Sequence, residues 1–408
     1  MEAMNKNYWL YVEPHVYCNS KHGQIILYNT KTTSCLESAD EKIVALAQEL
    51  YQKQNLGALF FDGVKLAEDP YKSFIAELCE KGMGGLVDSA HEKPIQLMPV
   101  LNLQRDVEKL KLERERSTGE NVLHYLLQLN LYLNQECSQQ CLHCNSYFRQ
   151  QLCCTKAHTK KVVLSVPTLQ SVFNQIKYSA VGRINILGGN ILTYPDRKEL
   201  CNLLHNDERV YLWLHYINIA ESSEIISGFK YDIPVTFPLN ELAFESCNKK
   251  MKDEKTCYHF FILNENEYEQ TEKLIEKYAI ANYNIHPIYV KENLHFFEEN
   301  IYMNKDDLFT TSLSFRQIFA HQKLNTNFFG SLTILPNGDV YANVNSQSLG
   351  NIHSNSILHL IDEEMSNNTA WRTIRDKKPC AECLYQFLCP SPSNYETAIG
   401  KTNLCNIK

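Results

Sequence analysis

The first hundred residues alternate short strand-like runs with two helical patterns. The runs NYWLYVEPHVYC, QIILYNT and GALFFDG are rich in aromatic and β-branched residues, which favour strands. In SADEKIVALAQELYQ, apolar residues recur at helical spacing after a candidate cap at Ser38 or Asp40. DPYKSFIAELCEKGMGG predicts a second helix that has Pro70 in its first turn and ends at the glycines. We therefore predict a compact α+β module over residues 1–100, with the element order of a winged-helix-like unit.

Beyond a charged linker, strands alternate with helices. The linker, residues 101–122, includes DVEKLKLERERSTGE, which lacks the apolar spacing of a core helix. Residues 123–300 contain six strand–helix units. The predicted strands are LLQLNLYL, RINILGG, VYLWLHYIN, IPVTFPL, CYHFFILN and NYNIHPIYV, and the predicted helices are VPTLQSVFNQIKYSA, PDRKELCNLLHN, SSEIISGF, ELAFESCNKKMKD, EYEQTEKLIEKYAI and NLHFFEEN. Six such units predict an α/β fold with a parallel sheet in a partial barrel, whose functional loops lie at the carboxyl ends of the strands.

The last stretch, residues 301–408, has a different pattern. SLTILPNGDVYAN places a PNGD turn between two short strands, which predicts a hairpin. The segments CAECLYQFLCPSPSNYE and NLCNIK that follow are rich in cysteine. We therefore expect a bridging segment and a cysteine-rich extension after the alternating region.

Composition narrows the class of protein. The chain has 408 residues, of which 44% are hydrophobic and 21% charged, as in folded multidomain proteins. Its net charge of −7 argues against a basic nucleic-acid-binding surface. The sequence has no apolar run long enough for a membrane helix and begins without a secretion signal, so we expect a cytoplasmic protein.

Fifteen cysteines are many for a chain of this kind. In a reducing compartment, clustered cysteines indicate metal binding more than disulfides. Six scattered ones are expected to be small apolar core residues: Cys18, Cys35, Cys79, Cys201, Cys247 and Cys257.

The cysteine triplet CSQQCLHC follows the first strand of the alternating region, at its functional end. Three thiolates on a short loop, Cys137, Cys141 and Cys144, can hold three irons of a [4Fe–4S] cluster and leave the fourth iron open. Zinc also accepts sulfur ligands, but a closed zinc site needs a fourth ligand. That ligand would be His143 or one of the Cys153–Cys154 doublet folding back.

CSQQCLHC resembles the CxxxCxxC motif of the radical SAM superfamily, and it stands after the first strand of a six-unit partial barrel as in that family. The resemblance implies that the open iron chelates S-adenosylmethionine. It further implies that an electron, from a flavodoxin- or ferredoxin-type donor, yields a 5′-deoxyadenosyl radical that abstracts a substrate hydrogen. The protein would hold the cofactor and exclude water.

The same resemblance implies cofactor contacts at four further residues. His143 occupies the aromatic position beside the adenine, or else is a histidine that packs the loop. Gly188 and Gly189 of ILGGN match the glycines whose backbone helps bind the methionyl amino group, or else form a plain turn at the strand end. Asn190 replaces the glutamate that usually follows them and brings no negative charge.

The tail resembles the SPASM extension of peptide-modifying radical SAM enzymes. That resemblance implies that Cys380, Cys383, Cys389 and Cys405 bind one auxiliary [4Fe–4S] cluster. Ser393 stands where the family run has a further cysteine, and FFGSLTILPNGDVYAN lacks the earlier ones, so the other auxiliary cluster is expected to be missing. Four thiols also suit a closed zinc site.

The front module resembles the winged-helix-like element that holds a precursor's leader peptide as an added strand, or else is a structural cap. Including LYNT, FLCPSPSNYE and the CC doublet, the chain is most similar to the SPASM-type group labelled pseudo-radical-SAM that accompanies GG-leader peptides. This implies a maturase that modifies a ribosomally synthesised precursor peptide. The alternatives are a degenerate relative that binds the peptide or a partner maturase, and a zinc-stabilised adaptor.

The sequence singles out no general acid or base. Candidates in the barrel region are each expected to be solvated or satisfied side chains: His215, His286, Glu265 and Glu267.

Overall fold

A computed structural model describes residues 6–97, 122–155, 162–252 and 254–407. The predicted linker over 101–122 lies outside these ranges except for its last residue. The strands are β1 (Tyr8–Val12), β2 (Val16–Lys21), β3 (Gln24–Asn29), β4 (Cys35–Ser38), β5 (Ala58–Phe61), β6 (Gly84–Asp88), β7 (Gln128–Tyr132), β8 (Arg183–Leu187), β9 (Val210–Trp213), β10 (Lys230–Thr236), β11 (Lys255–Ile262), β12 (Tyr283–Pro287), β13 (Ser331–Ile334), β14 (Asp339–Tyr341) and β15 (Gly350–Asn351).

The α-helices are numbered over the same described residues. They are α1 (Glu41–Leu50), α2 (Tyr71–Glu80), α3 (Cys144–Gln150), α4 (Val166–Gln175), α5 (Arg197–Leu204), α6 (Tyr216–Glu221), α7 (Glu241–Lys250), α8 (Glu265–Tyr278), α9 (Leu294–Asn300), α10 (Asp307–Thr310), α11 (Phe315–Lys323), α12 (Ile357–Asn367) and α13 (Asn394–Ile399). Among them, none is long and apolar enough to cross a bilayer.

The main sheet has the strand order β12-β11-β10-β9-β8-β7-β13-β14-β15 within the described part of the chain. The first six strands pair as parallel neighbours, which confirms the parallel sheet predicted from the alternating pattern. The predicted hairpin is also present, because β13 and β14 pair antiparallel. It joins the main sheet, since β13 pairs parallel to β7 on its other side.

The third strand–helix unit differs from the prediction. VYLWLHYIN is not one strand: β9 ends at Trp213, and the following residues form α6. The His215 imidazole accepts a hydrogen bond from the Ile217 backbone N–H at the start of this helix. Tyr216 and Ile219, three positions apart, are both buried, as one face of a helix requires. The segment SSEIISGF, predicted as the helix, is irregular instead.

Alternate side chains of the parallel strands face opposite sides of the sheet. On β8 and β10, Ile184, Ile186, Ile233 and Val235 are buried in the core that the sheet forms with its flanking helices. The residues between them point to the opposite face of the sheet. That face carries a hydrogen-bonded row of side chains: Asn130, Asn185, Arg183, Asp232, His259 and His286.

The front module is built from two three-stranded antiparallel sheets, β5-β1-β6 and β2-β3-β4, and the helices α1 and α2. Asp40 rather than Ser38 caps α1, since its carboxylate accepts from the Lys42 and Ile43 N–H groups. The short strands β4 and β6 were not predicted. β6 begins with glycine because a Cβ at Gly84 would lie 2.2 Å from the Tyr11 carbonyl oxygen on β1.

The front module packs against the tail. Tyr17, Ile26 and Tyr28 form one apolar cluster with Leu384 and Leu388. Polar contacts converge on residues 381–385, which we name the docking loop. Lys21 Nζ donates to the Ala381 carbonyl at 3.0 Å, Asn19 Nδ2 donates to the Leu384 carbonyl at 2.8 Å, and the Tyr385 hydroxyl donates to Glu37 at 2.9 Å.

Candidate functional site

The cysteine triplet lies at the carboxyl end of the parallel strands. Cys137 and Cys141 lie on the loop that follows β7, and Cys144 is the first residue of α3. All three line one small cavity, which we name the thiol cavity. Its other lining residues come mainly from neighbouring strand ends and the segment after α3: Gln139, Tyr147, Cys153, Cys154, Thr155, Gly189, His215 and Thr236.

Gly188 and Gly189 approach the triplet loop itself. A Cβ on Gly188 would lie 2.5 Å from Asn134 Oδ1, and one on Gly189 would lie 2.3 Å from the Glu136 carbonyl oxygen and 3.0 Å from Cys137 Cβ. The Gly189 N–H also donates to the Asn134 carbonyl at 3.2 Å. A contact between two chain segments therefore already requires both glycines. Gly189 additionally lines the thiol cavity.

The side chain and the backbone N–H of Asn190 both make hydrogen bonds to nearby backbone groups. Its Oδ1 accepts from the Leu192 N–H at 3.1 Å, which caps a 3₁₀ turn over Ile191–Thr193, and its own N–H donates to the Glu136 carbonyl at 2.6 Å. The side chain therefore serves the turn, in the position where the resemblance expects a glutamate.

His143 precedes α3 and is half-buried. Its ring centroid lies 6.4 Å from that of Tyr147 in an edge-on arrangement. Burial raises the pKa of the nearby Glu267 carboxyl, while His143 acts in the opposite direction. His143 is not among the residues that line the thiol cavity.

Burial dominates the electrostatics of the thiol cavity. It raises the pKa of Cys141 to about 12, reinforced by the neighbouring thiols, and lowers the pKa of His215 to about 4. The Cys141 sulfur lies 4.0 Å from His215 Nε2, which in turn lies 3.0 Å from the Thr236 hydroxyl. The Cys141 thiol is therefore neutral at pH 7 without a cation, and a bound metal group would displace its proton.

One polar atom in this cavity lacks a partner. The hydroxyl of Thr155 is buried and has no hydrogen-bond partner among the described residues, although it lies beside the thiols. Burying a hydroxyl without a partner costs about 1–3 kcal/mol. The thiols of this cavity can bind a metal, and the Thr155 hydroxyl is available to hydrogen-bond a polar ligand beside that metal.

The spacing of the thiols tests which group fits. In the described ranges, the triplet thiols do not lie within 4.8 Å of one another, and neither do any three of the tail thiols. A single tetrahedral zinc with Zn–S bonds of about 2.3 Å holds its sulfurs about 3.8 Å apart. Because the three sulfurs are not all within 4.8 Å of one another, a single zinc would require them to move closer, whereas a group in which each thiolate binds a different metal atom tolerates sulfurs further apart.

The four tail cysteines are also brought together. Cys380, Cys383, Cys389 and Cys405 line one cavity, the tail cavity. Burial raises the pKa of Cys389 to about 12. Backbone N–H groups point at two of the sulfurs: Tyr385 N lies 3.4 Å from Cys383 Sγ, and Ile407 N lies 3.2 Å from Cys405 Sγ. Donors aimed at sulfur stabilise a bound thiolate.

Ser393, at the position of the expected missing cysteine, begins a helix. It caps α13 in a capping box with Glu396, to whose carboxylate its hydroxyl donates at 2.6 Å. Glu396, which is buried, also pairs with the half-buried Arg375 at 2.8 Å. This residue therefore has a structural role in α13.

Several lining residues were not predicted. His215 was expected to be a satisfied side chain, and it is, but together with Thr155 and Thr236 it also surrounds the thiols. His215 and Thr236 lie inside the predicted strands VYLWLHYIN and IPVTFPL, so no sequence signal identified them as strand-end residues. Two scattered cysteines differ from the expected core role: Cys79 is exposed, and Cys257 faces a polar cavity.

Comparison with known proteins gives limited similarity. No protein-family model matches the sequence, and no curated protein matches it. Among solved structures, Streptococcus suis SuiB bound to S-adenosylmethionine matches with 15% identity and a TM-score of 0.43, covering 97% of this chain and 98% of that chain. SuiB bound to the precursor peptide SuiA matches with 13% identity and a TM-score of 0.41, over the same shares. At these scores the similarity establishes neither fold nor function here.

Proposed function

We propose that this chain is a radical SAM enzyme that modifies a ribosomally synthesised precursor peptide. The observation that carries the proposal is the convergence of Cys137, Cys141 and Cys144 on one cavity at the carboxyl ends of the parallel strands β7–β12 of the main sheet. The three sulfurs are not all within 4.8 Å of one another, which is compatible with a cluster bound through three different irons. The CxxxCxxC spacing adds the radical SAM resemblance.

The three thiolates would hold a [4Fe–4S] cluster. When bound, the cluster with S-adenosylmethionine supplies the radical that abstracts a substrate hydrogen. Around it, the backbone of Gly188 and Gly189 would face the methionyl group, and Asn190 would contribute only its backbone, since its side chain caps a turn. His143 would lie beside the adenine.

The tail thiols would hold a second, auxiliary [4Fe–4S] cluster. Four cysteines around one cavity and two N–H groups aimed at sulfur support this assignment. The front module would bind the leader of the precursor peptide. A flavodoxin- or ferredoxin-type protein would supply electrons. We place the protein in the reducing cytoplasm, where clustered thiols bind metal groups rather than form disulfides.

The test is anaerobic reconstitution of the full chain with iron and sulfide, followed by reduction and addition of S-adenosylmethionine. The wild-type chain should hold two clusters and release 5′-deoxyadenosine. Cys141→Ser should keep about half of the iron and release none, whereas Cys389→Ser should keep about half and still release it. Cys79→Ser, an exposed thiol on α2, is the matched control and should behave as wild type. Iron-replete wild type that releases no 5′-deoxyadenosine would refute the enzyme proposal.

A second candidate is a degenerate relative that binds the precursor peptide or presents it to a partner maturase. The engagement of Asn190 in a local turn favours it, because the expected negative charge is missing there. In that case Cys141→Ala should leave peptide affinity unchanged. Calorimetry of both proteins with the precursor peptide, alongside the 5′-deoxyadenosine assay, separates the two candidates.

A further inference from the structure

A second group of side chains that could bind a metal lies on the sheet face of Asn185 and Asp232, apart from the thiols. Asp232 on β10 pairs in register with Cys257 on β11, and His259 lies two residues further along the same strand. A spacing of two residues puts Cys257 and His259 on one face. In the described ranges, these three residues form the one group whose carboxylate, thiol and imidazole ligand atoms all lie within 4.8 Å of one another.

We propose that Asp232, Cys257 and His259 bind a divalent transition-metal ion of the zinc class. Carboxylate, thiolate and imidazole together suit a borderline-soft cation better than magnesium or calcium, which prefer oxygen. Zinc at 2.0–2.3 Å from each ligand would bring the ligand atoms about 3.3–3.8 Å apart. Asp232 Oδ1 and His259 Nε2, which lie 2.7 Å apart, would separate slightly, and the Cys257 sulfur, within 4.8 Å of both, would adjust to the same ion.

Each ligand is oriented by an outer partner. Arg183 donates to the other carboxylate oxygen of Asp232 at 2.6 Å, and Asn284 donates to the Cys257 sulfur at 3.3 Å. The remaining ring nitrogen of His259, Nδ1, lies 2.9 Å from His286 Nε2. Partners that fix the far side of every ligand are typical of metal sites.

Metal binding must move or release the protons on His259 and Cys257. Without metal, His259 Nε2 lies 2.7 Å from Asp232 Oδ1, so its proton lies between them. His286 Nε2 lies 2.9 Å from His259 Nδ1 and can accept a hydrogen bond from it when the proton of the His286 ring is on Nδ1. On metal binding, the His259 proton would move to its Nδ1, which would donate a hydrogen bond to His286 Nε2, while the single ring proton of His286 would be on its own Nδ1. The Cys257 thiol would release its proton to solvent.

The charges around the site limit which metal ion it can bind tightly. Asp232 and the Cys257 thiolate contribute two negative charges, but Arg183 adds one positive charge beside the carboxylate. The site is thus better compensated by a divalent than by a trivalent ion. The open position faces a cavity of about 730 Å³, where water or a polar group of a substrate would complete the coordination.

This site is independent of the thiol cavity and of the proposed function. Asp232 lies four residues before Thr236 on β10, and Thr236 lines the thiol cavity, so the two centres are about 13 Å apart along the strand. Zinc binding here can therefore be measured whether or not the protein forms 5′-deoxyadenosine.

The experiment is equilibrium dialysis of the full chain against zinc, with metal quantified by mass spectrometry. Cys257→Ser should bind one equivalent less than wild type, while Cys79→Ser should bind the same amount. His286→Asn, which keeps all three ligands, should weaken the site 10- to 100-fold. In cobalt-loaded protein, the thiolate charge-transfer absorption of this site should be absent from Cys257→Ser.

Equal zinc uptake by Cys257→Ser and Cys79→Ser would overturn the proposal, because Asp232 is then simply paired between Arg183 and His259. Circular dichroism reports whether Cys257→Ser folds. If it does not, the zinc affinity of His286→Asn decides: a value unchanged from wild type overturns the proposal, and a weakening of at least tenfold supports it.

Discussion

The contact between Gly189 and the triplet loop predicts that a single methyl group will disturb the thiol cavity. In Gly189→Ala, the new Cβ would lie 2.3 Å from the Glu136 carbonyl oxygen. Ordinary carbon–oxygen contacts are about 3.3 Å or longer, so the loop must retreat by about 1 Å. The carbonyl is not free to do so, because it accepts the Asn190 N–H at 2.6 Å.

The expected cost combines two terms. Overpacking a tightly packed site costs about 1–3 kcal/mol, and a weakened backbone hydrogen bond adds about 1 kcal/mol. We therefore expect Gly189→Ala to lower the free energy of unfolding by about 2–4 kcal/mol, measured by denaturant titration. Since the same methyl group would lie 3.0 Å from Cys137 Cβ, reconstituted iron should fall by about half.

Gly182→Ala is the matched control. Gly182 immediately precedes β8, and a Cβ there meets no atom within 4 Å. Its stability should stay within about 1 kcal/mol of wild type, with iron unchanged. If Gly189→Ala matched Gly182→Ala in both stability and iron content, the close approach of the two segments would be refuted.

Three further predictions concern stability and coupling. The buried Glu364 carboxylate accepts from the N–H groups of Thr369, Ala370 and Trp371, so Glu364→Ala should lower the free energy of unfolding by at least about 3 kcal/mol in denaturant titrations; a loss below 1 kcal/mol would contradict this. Burial lowers the pKa of His321, so the imidazole binds a proton more readily in the unfolded chain than in the folded one. The free energy of unfolding should therefore fall as pH drops below about 6.5. The urea midpoint of His321→Asn should fall less between pH 7 and 5.5 than that of wild type. Cys389→Ser should speed hydrogen exchange in β2–β4, measured by mass spectrometry, because the docking loop that contacts these strands lies between Cys380 and Cys389. Exchange equal to that of Cys79→Ser would argue against this coupling.

The spacing of apolar residues predicted the strands and helices that are long enough to show a repeating pattern. The six parallel strands and most helices of the alternating region follow from apolar spacing alone. The short strands β4 and β6 were missed because they contain glycine or polar residues. The strand–helix boundary after Trp213 was missed because VYLWLHYIN is apolar throughout, and a capping histidine decides where the helix begins.

The candidate site was predictable only where its residues are neighbours in sequence. Cysteine spacing identified the triplet and the tail group, and both converge on cavities. Thr155, His215 and Thr236 come from separate segments, and nothing local indicates that they meet. The group of Asp232, Cys257 and His259 depends on the register of β10 and β11, which a sequence alone does not reveal.

The pairing of β13 with β7 has a consequence for biosynthesis. Asn130 and Thr333, which are hydrogen-bonded across these strands, are separated by 203 residues. At a synthesis rate of about 5–20 residues per second, β7 waits roughly 10–40 seconds for its partner to leave the ribosome. During that interval one margin of the nascent sheet presents bare amide and carbonyl groups, a surface that invites aggregation and that a chaperone would shield. Ribosome-bound chains should therefore recruit such helpers until β13 has emerged.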